Sequence, residues 1–492
     1  LLYTASYTGV NAGMVIAVAD DPGMHSSQNE QDSRRHAIAS KVPMVEPSDS
    51  AECIAFVKEA YAISEAFDTP VLLRMSTRIA HAQSLVETAD RQDPGLKPYE
   101  KNPAKYVMMP GYARPKHTVV ENRTKKLREF AETTSLNQVI PGDKKVGIIA
   151  AGTTYQYARE VWGDKASYLK LGLVNPLPVK LIQDFAASVD KVYVIEELDD
   201  IIETHCRCIG VEVTGKALFP WEGEFSQQLI AEKMLGKKPE TRTFPEAVPV
   251  RPPVMCAGCP HRGLFYVLNR LKVTVSGDIG CYTLGAQAPL SAMDTTICMG
   301  ASVSALHGFN AARGGDSAAH SVAVIGDSTF IHSGITSLIN ISYNRGISTV
   351  IVLDNSITGM TGHQQNPTTG LTLQGDPTAA VSIEKLCDAI GIKRVRVVDP
   401  YDLKATMAAV KEELAVAEPS VIISRRPCAL LKNVKHQPPL VINRDKCRGC
   451  KACLNLGCPA ISVQNGKAVI DNTLCVGCGL CGDLCGFGAI GR

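Results

Sequence analysis

Ser321-Val-Ala-Val-Ile-Gly-Asp-Ser-Thr-Phe330 is an apolar run that stops abruptly at Gly326, Asp327 and Ser328. A few apolar residues closed by a Gly-Asp pair read as a short buried strand and its exit turn. A helical stretch follows, "SGITSLINISYNRG" from Ser333, and then a second strand in "STVIVLDNSITGMTGHQ" from Ser348. Strand, helix and strand form a βαβ unit, whose crossover brings both strand ends to one rim. Asp327 and Asn355, about 28 residues apart, are therefore expected side by side. Two side-chain oxygens, one backbone carbonyl and diphosphate oxygens suit an octahedral Mg²⁺. The helix entry beside Asp327 favours the negative charge of a diphosphate. The bland reading of a strand-end Gly-Asp is an ordinary turn.

Outward from this unit the same alternation continues. "MVIAVAD" and "PVLLRMS" read as short buried strands, with the helix "SAECIAFVKEAYAISEAF" between them, opened by Ser48 and Asp49. The Pro- and Lys-rich stretch from Asp93 to His117 reads as an extended connection. "KKVGIIAAG" and "KVYVIEE" begin a second α/β segment, and "GKKPETRTFPEAVPVRPPV" reads as a linker. The chain has 492 residues, enough for three or four domains at ~150 residues each. Lys and Arg number 51 against 49 Asp and Glu, a balance that argues against a nucleic-acid or anionic-membrane surface. No apolar run approaches the ~20 residues of a membrane helix. The start, interrupted by Thr4, Ser6, Thr8 and Asn11, does not read as a signal peptide and is expected to continue an upstream part.

Of 17 cysteines, eight lie between Cys447 and Cys485. Such clustering in a large α/β chain points to metal binding in a reducing, cytoplasmic setting rather than to disulfides. Cys447, Cys450 and Cys453 form C-x-x-C-x-x-C, and so do Cys475, Cys478 and Cys481. Three thiolates on one tight loop hold three irons of a 4Fe–4S cluster, and a distant cysteine completes it. In two-cluster ferredoxins the fourth cysteines are exchanged, which gives Cys485 to the first trio and Cys458 to the second. The pattern departs from that family in two places. Four residues separate Cys453 from Cys458 where three are usual, and Gly486 replaces a Pro. Zinc is the alternative, though it more often takes paired C-x-x-C elements. No G-x-G-x-x-G turn suited to a nicotinamide or flavin is evident.

Taken with "CAGCPHRG", "SGDIGCYTLG", "TGMTGHQQNP" and "ADDPGMHSSQNEQDSRR", the chain resembles the large subunit of indolepyruvate:ferredoxin oxidoreductases along its whole length. The resemblance implies an α/β fold: several doubly wound, parallel-sheet domains of thiamine-enzyme type and a small C-terminal ferredoxin-like α+β domain. The expected domains are a pyrimidine-binding type over 1–125, a transketolase-C-terminal-like one over 140–240, a diphosphate-binding one over 252–435, and a two-cluster domain over 440–492. It implies oxidative decarboxylation of aryl 2-oxo acids with coenzyme A, giving an aryl-acetyl thioester, CO₂ and reduced ferredoxin. It also implies a smaller β subunit in an α₂β₂ assembly. The alternatives are a pyruvate or branched-chain 2-oxo acid enzyme, or a non-catalytic electron-transfer subunit on a thiamine-like scaffold.

The resemblance assigns thiamine diphosphate to Gly326, Asp327, Ser328, Asn355, Ile357 and Cys281. Mg²⁺ falls to Asp327, Asn355 and the Ile357 carbonyl. A third 4Fe–4S cluster is expected on Cys256, Cys259, Cys281 and Cys428, with loop thiols as its plain alternative. Arg425 and Arg426 beside Cys428 are alternative holders of coenzyme A phosphates. The activating Glu is expected upstream of Leu1, and Glu30 does not match it. Candidate pocket residues are His25, His332, Met360 and His363, each balanced by an ordinary structural role. Met360 stands where pyruvate-using relatives carry a polar amide and suits an aromatic substrate. "DDPGMHSSQNEQD" is an expected active-site loop or else a solvated turn. Cys53, Cys298 and Cys387 read as buried apolar fillers, Cys206 and Cys208 as core or surface thiols, and Trp162 and Trp221 as packing.

Overall fold

The computed structural model describes residues 1–238, 245–249 and 252–492. Of the linker expected over 236–254, residues 239–244 and 250–251 lie outside the described residues. The chain divides into two compact units, Leu1–Pro245 and Glu246–Arg492.

The first unit holds two four-stranded sheets. One runs in the order Val15–Asp20, Val71–Ser76, Met44–Val45 and Leu173–Asn175, parallel until the last strand. The other runs Gln138–Ile140, Ser167–Leu171, Gly147–Ala151 and Val192–Ile195, antiparallel at its first pair and parallel beyond. The helix Ser50–Phe67 begins where its cap residues place it. Asp49 accepts the Glu52 amide, and the Glu52 carboxylate reaches back to the Ser48 amide at 2.8 Å. Phe56, Ala60 and Ile63 form its buried stripe and pack with Val71 and Leu73. Trp162 packs in the core of the second sheet, whereas Trp221 is 56% exposed and lies under the Lys216 ammonium.

The stretch from 93 to 117 is not wholly extended. Helices span Pro103–Tyr106 and Pro110–Ala131. Pro110 occupies the first helical position, where its missing N–H costs nothing, whereas Pro115 lies inside the helix and cannot donate to the Gly111 carbonyl. The apolar stripe beyond, Val120, Leu127 and Ala131, is buried, and that burial outweighs the local proline signal.

Charge is concentrated inside this unit. Arg34 pairs with Asp32 at 2.6 Å and Glu196 at 2.7 Å, and Arg74 with Asp20 and Glu46 at 2.6 Å each. The Glu197 carboxylate is in no described salt bridge and accepts the Phe225 amide at 2.7 Å, while Arg34 donates to the Glu197 backbone carbonyl. Burial pushes its carboxyl up to about 7. The folded state therefore holds the Glu197 proton more tightly than the unfolded chain does. Its contribution to stability is full below the ordinary value of 4.5 and is lost as pH rises through about 7. Glu197→Gln keeps the acceptor without the charge. It should protect amides in 192–225 by about 3 kcal/mol more than wild type at pH 8 and equally near pH 4.5, read by hydrogen exchange.

In the second unit the strands are β1 Thr274–Gly277, β2 Thr295–Thr296, β3 Ser321–Gly326, β4 Thr349–Asp354, β5 Arg394–Val398 and β6 Ser420–Arg425. They form one parallel sheet in the order β2-β1-β3-β4-β6-β5. Val322 and Val324 of β3 pack into one core, and Ala323 and Ile325 into another on the opposite face. This two-sided burial explains why its strands are apolar without alternation. The C-terminal module pairs Val441–Ile442 with Ile490–Gly491 and Ile461–Gln464 with Lys467–Ile470, both antiparallel. Its Leu440, Leu456 and Leu480 share a core with Val267 and Leu403. Among the described residues no helix is long and apolar enough to cross a membrane.

Candidate functional site

β3 and β4 are in parallel register, Gly326 opposite Leu353, so their C-terminal ends open onto the same rim. There a cavity of about 250 Å³ is lined by Gly326, Asp327, Ser328, Asn355, Ile357, Cys281, His332, Met360 and ten other residues, His261 and Tyr282 among them. Asp327 is 2% exposed. Its Oδ1 accepts the Ser328 amide at 2.8 Å, while Oδ2 faces Asn366 Nδ2 at 3.4 Å and the Thr368 hydroxyl at 3.3 Å. No described salt bridge reaches it, and burial pushes its carboxyl up to about 6. A buried carboxylate with no compensating cation is an electrostatic deficit that a divalent ion would fill. Asn355, 7% exposed, aims its amide at His261 Nε2, 3.4 Å away. Ser356 takes a positive φ of 60°, which turns the chain so that Ile357, also buried, joins the rim. These residues fit an Mg²⁺-bound diphosphate.

Several residues of this rim were missed in the sequence. Asp278, at the end of β1, is fully buried and accepts the amides of Ile279, Gly300 and Ser302. It fixes the loops on either side of the cavity. A signal existed, because Gly277-Asp278 repeats the Gly326-Asp327 ending of β3. His261 is buried edge-on to Tyr282, centroids 5.8 Å apart, and burial lowers it to about 4, so the ring beside Asn355 is neutral at pH 7. Met360 and His332 are exposed at the mouth of the cavity. His363 is exposed, has a positive φ of 63° and does not line it.

The third cysteine group is gathered near the same rim. Cys281 lines the cavity, and its Sγ lies 3.7 Å from the point where a Cβ on Gly359 would sit. The Cys428 amide donates to the Asn355 carbonyl at 2.9 Å. Burial raises the Cys259, Cys281 and Cys428 thiols, Cys259 to about 12, and neighbouring sulfurs add to it: Cys256 acts on all three, Cys281 on Cys259, and Cys428 on Cys281. Cys256 thus influences each of the other three thiols, and Cys281 is linked to both Cys259 and Cys428. Arg425 and Arg426 are both engaged in salt bridges. Arg425 holds Asp354 and Glu384, and Arg426 holds Asp399 with its guanidinium over Tyr401. Their places beside facing carboxylates come from the folded sheet, not from local sequence.

In the C-terminal module the thiols ring two cavities. One is lined by Cys447, Cys450, Cys453 and Cys485, the other by Cys458, Cys475, Cys478 and Cys481. Among the described residues no three His, Cys, Asp or Glu side chains close on a point fit for one metal ion. Of the expected buried fillers, Cys387 is enclosed. Cys298 is exposed in the loop ahead of Ala301–Arg313, and Cys53 is half-buried at the first turn of its helix. Cys206 is buried and Cys208 exposed.

In the first unit, "DDPGMHSSQNEQD" is a tethered loop rather than a loose turn. Asp21 accepts the Ser26 and Ser27 amides at 3.0 Å and the Thr77 hydroxyl at 2.6 Å, while Glu30 accepts Gly23 and Gly223 amides. Against the upward push of burial, these bonds hold the Asp21 carboxyl well below its usual range. His25 is exposed, 3.2 Å from Glu224.

A family model described as "Thiamine pyrophosphate enzyme, C-terminal TPP binding domain" matches residues 278–424, and a "4Fe-4S binding domain" matches 468–491. The indolepyruvate oxidoreductase subunit IorA of Pyrococcus horikoshii is 39% identical, covering 99% of this chain and 83% of its own. That of Archaeoglobus fulgidus is 37% identical over 98% of this chain and 82% of its own. A solved 2-oxoglutarate:ferredoxin oxidoreductase from Magnetococcus marinus aligns with 37% of this chain and 67% of its own, at 18% identity and a TM-score of 0.33, too distant to carry an argument. With such identity along nearly its whole length, and a thiamine-binding and an iron–sulfur segment where the two sites lie, the chain belongs to the family of indolepyruvate oxidoreductase subunit IorA.

Proposed function

We propose that the chain carries out the oxidative decarboxylation of aryl 2-oxo acids, indolepyruvate among them, with coenzyme A and ferredoxin. The observation that carries this reading is the thiamine-type rim and the cysteine-ringed cavities in one compact unit. The reaction breaks the bond between the carboxylate and the keto carbon, and forms a thioester between that carbon and coenzyme A. CO₂ and one proton leave, and two ferredoxins each accept one electron. Thiamine diphosphate, when bound, supplies the electron sink for the decarboxylation. The chain's residues bind and orient. Asp327 and Asn355 side chains and the Ile357 carbonyl hold Mg²⁺, with Asp327 supplying the charge. Neutral His261 sets the Asn355 amide, and Asp278 fixes the loops around the cavity. Met360 offers an apolar surface at the mouth to an aromatic substrate.

Three 4Fe–4S clusters complete the reading. Cys256, Cys259, Cys281 and Cys428 hold one beside the rim, Cys458, Cys475, Cys478 and Cys481 a second, and Cys447, Cys450, Cys453 and Cys485 a third. The two thiol-lined cavities support the exchanged fourth ligands. Cys458→Ser should damage the cluster of the Cys475 trio and leave the Cys447 cluster intact. Paramagnetic resonance of the reduced variant checks this, and two unaltered signals would remove Cys458 from the ligands. A four-domain organisation, a smaller partner subunit, an α₂β₂ assembly and a cytoplasmic setting belong to the same reading. Anaerobic turnover with coenzyme A and a viologen dye, using the chain with its partner subunit, tests the function. Indolepyruvate should be turned over at least about tenfold more efficiently than pyruvate, as expected where burial of an aromatic ring supplies binding. Preference for pyruvate would contradict the aryl assignment.

A further inference from the structure

Arg262 violates each rule that normally makes an arginine stabilising. It lies in the first turn of the helix His261–Leu271, where the helix dipole disfavours a cation. It is 2% exposed, yet its described hydrogen bonds go only to carbonyls: Nη1 donates to Leu456 at 2.6 Å, and Nη2 to Met255 at 2.5 Å and Cys256 at 3.0 Å. Its Nε is buried without a partner. An unneutralised buried guanidinium is costly, so something with negative charge is expected against it.

No described salt bridge reaches Arg262, and an iron–sulfur cluster held by the surrounding cysteines would supply that charge. Arg262 lines the cavity ringed by Cys458, Cys475, Cys478 and Cys481, and its carbonyl partners include Cys256 of the other group. The two cysteine loops touch. Gly258 has a positive φ of 67°, and a Cβ there would come within 2.2 Å of Val476 Cγ2. The Tyr401 hydroxyl donates to the Gly258 carbonyl at 2.5 Å. Arg262 thus lies against both cysteine groups, through the Cys256 carbonyl and the cavity of the Cys475 trio.

We propose that Arg262 is the charge-compensating residue shared by these two cluster sites, and that it raises the reduction potential of each. This rests on the cluster reading above. A 4Fe–4S cluster with four thiolates is anionic, and the electron it accepts adds a further negative charge. A cation held close in a dry interior therefore favours the reduced form. The Cys447 group, whose cavity Arg262 does not line, serves as the internal reference.

The test is an anaerobic redox titration, followed by paramagnetic resonance, of the reconstituted full chain and its Arg262→Gln and Arg262→Lys variants. The signal missing from Cys458→Ser identifies the cluster of the Cys475 trio. Arg262→Gln should shift reduction of that cluster at least tenfold toward the oxidised form, ~59 mV for one electron. The Cys447 cluster should move less than about twofold, and Arg262→Lys, which keeps the charge, should stay within about threefold of wild type. An unshifted Arg262→Gln with its iron intact, or equal shifts in both variants, would overturn the proposal and leave the cluster reading standing. If Arg262→Gln loses its iron, Arg262→Lys decides alone: a potential near wild type supports the role, and a tenfold shift overturns it. Wild-type chain without iron at the Cys475 trio would instead defeat the cluster reading, and this proposal with it.

Discussion

Asp327→Ala should weaken Mg²⁺-dependent binding of thiamine diphosphate by well over about 100-fold, since even outer-shell partners of a bound metal are typically worth 10–100-fold. The residue is the one acidic group among the three proposed ligands, and it has no cation of its own in the described structure. Its loss removes the charge that draws the ion and leaves the Asn355 amide and a carbonyl, both neutral. The same reasoning gives an unusual second outcome. An uncompensated buried carboxylate is a burden on the empty protein, so the variant should melt no earlier than wild type when both lack the cofactor. The iron of the C-terminal module should be unchanged, because Asp327 lines neither of its thiol cavities. Calorimetry with thiamine diphosphate and Mg²⁺ measures the first effect. Undiminished affinity would remove Asp327 from the ligand set.

Cys428→Ser should cost about four of about twelve irons per chain, counted after anaerobic reconstitution. Cys428 is distant in sequence from Cys256, Cys259 and Cys281, but it follows β6, whose end lies next to that of β4. The hydrogen bond from its amide to the Asn355 carbonyl ties it directly to a proposed Mg²⁺ ligand. Losing the fourth thiolate should therefore empty one cluster and also disturb the rim, lowering thiamine diphosphate affinity by a smaller factor than Asp327→Ala does. A wild-type chain that saturates at about eight irons would leave this group without a cluster.

Much of the fold was legible because its signals are local. The β3–helix–β4 unit announced itself by an apolar run, a Gly-Asp stop and a second run, all within one crossover. The helix Ser50–Phe67 was legible from Ser48 and Asp49 just ahead of it, and Asp49 does cap it. The helix Pro110–Ala131 was hidden because two prolines and a glycine mark its beginning, while the burial that sustains it lies further on. Side chains whose roles depend on distant neighbours were hardest to read. Asp278 anchors residues some 22 positions away at Gly300, and His261 meets Asn355 only across the folded sheet. Arg262 in a helix reads as a solvated surface residue until Leu456 and the cysteine loops enclose it. The ion pairs of Arg425 and Arg426 were hidden because their partners Asp354, Glu384 and Asp399 come from other elements.

The central claim is that decarboxylation at the rim delivers electrons to clusters on the same chain. Its most direct test is a single turnover: indolepyruvate and coenzyme A are mixed anaerobically with the oxidised chain and its partner subunit, with no external acceptor. Labelled CO₂ release and the paramagnetic signal of reduced 4Fe–4S clusters should appear together, at about two electrons per CO₂, and both should be absent from Asp327→Ala. Release of CO₂ with the clusters left oxidised, or cluster reduction in Asp327→Ala, would contradict the account.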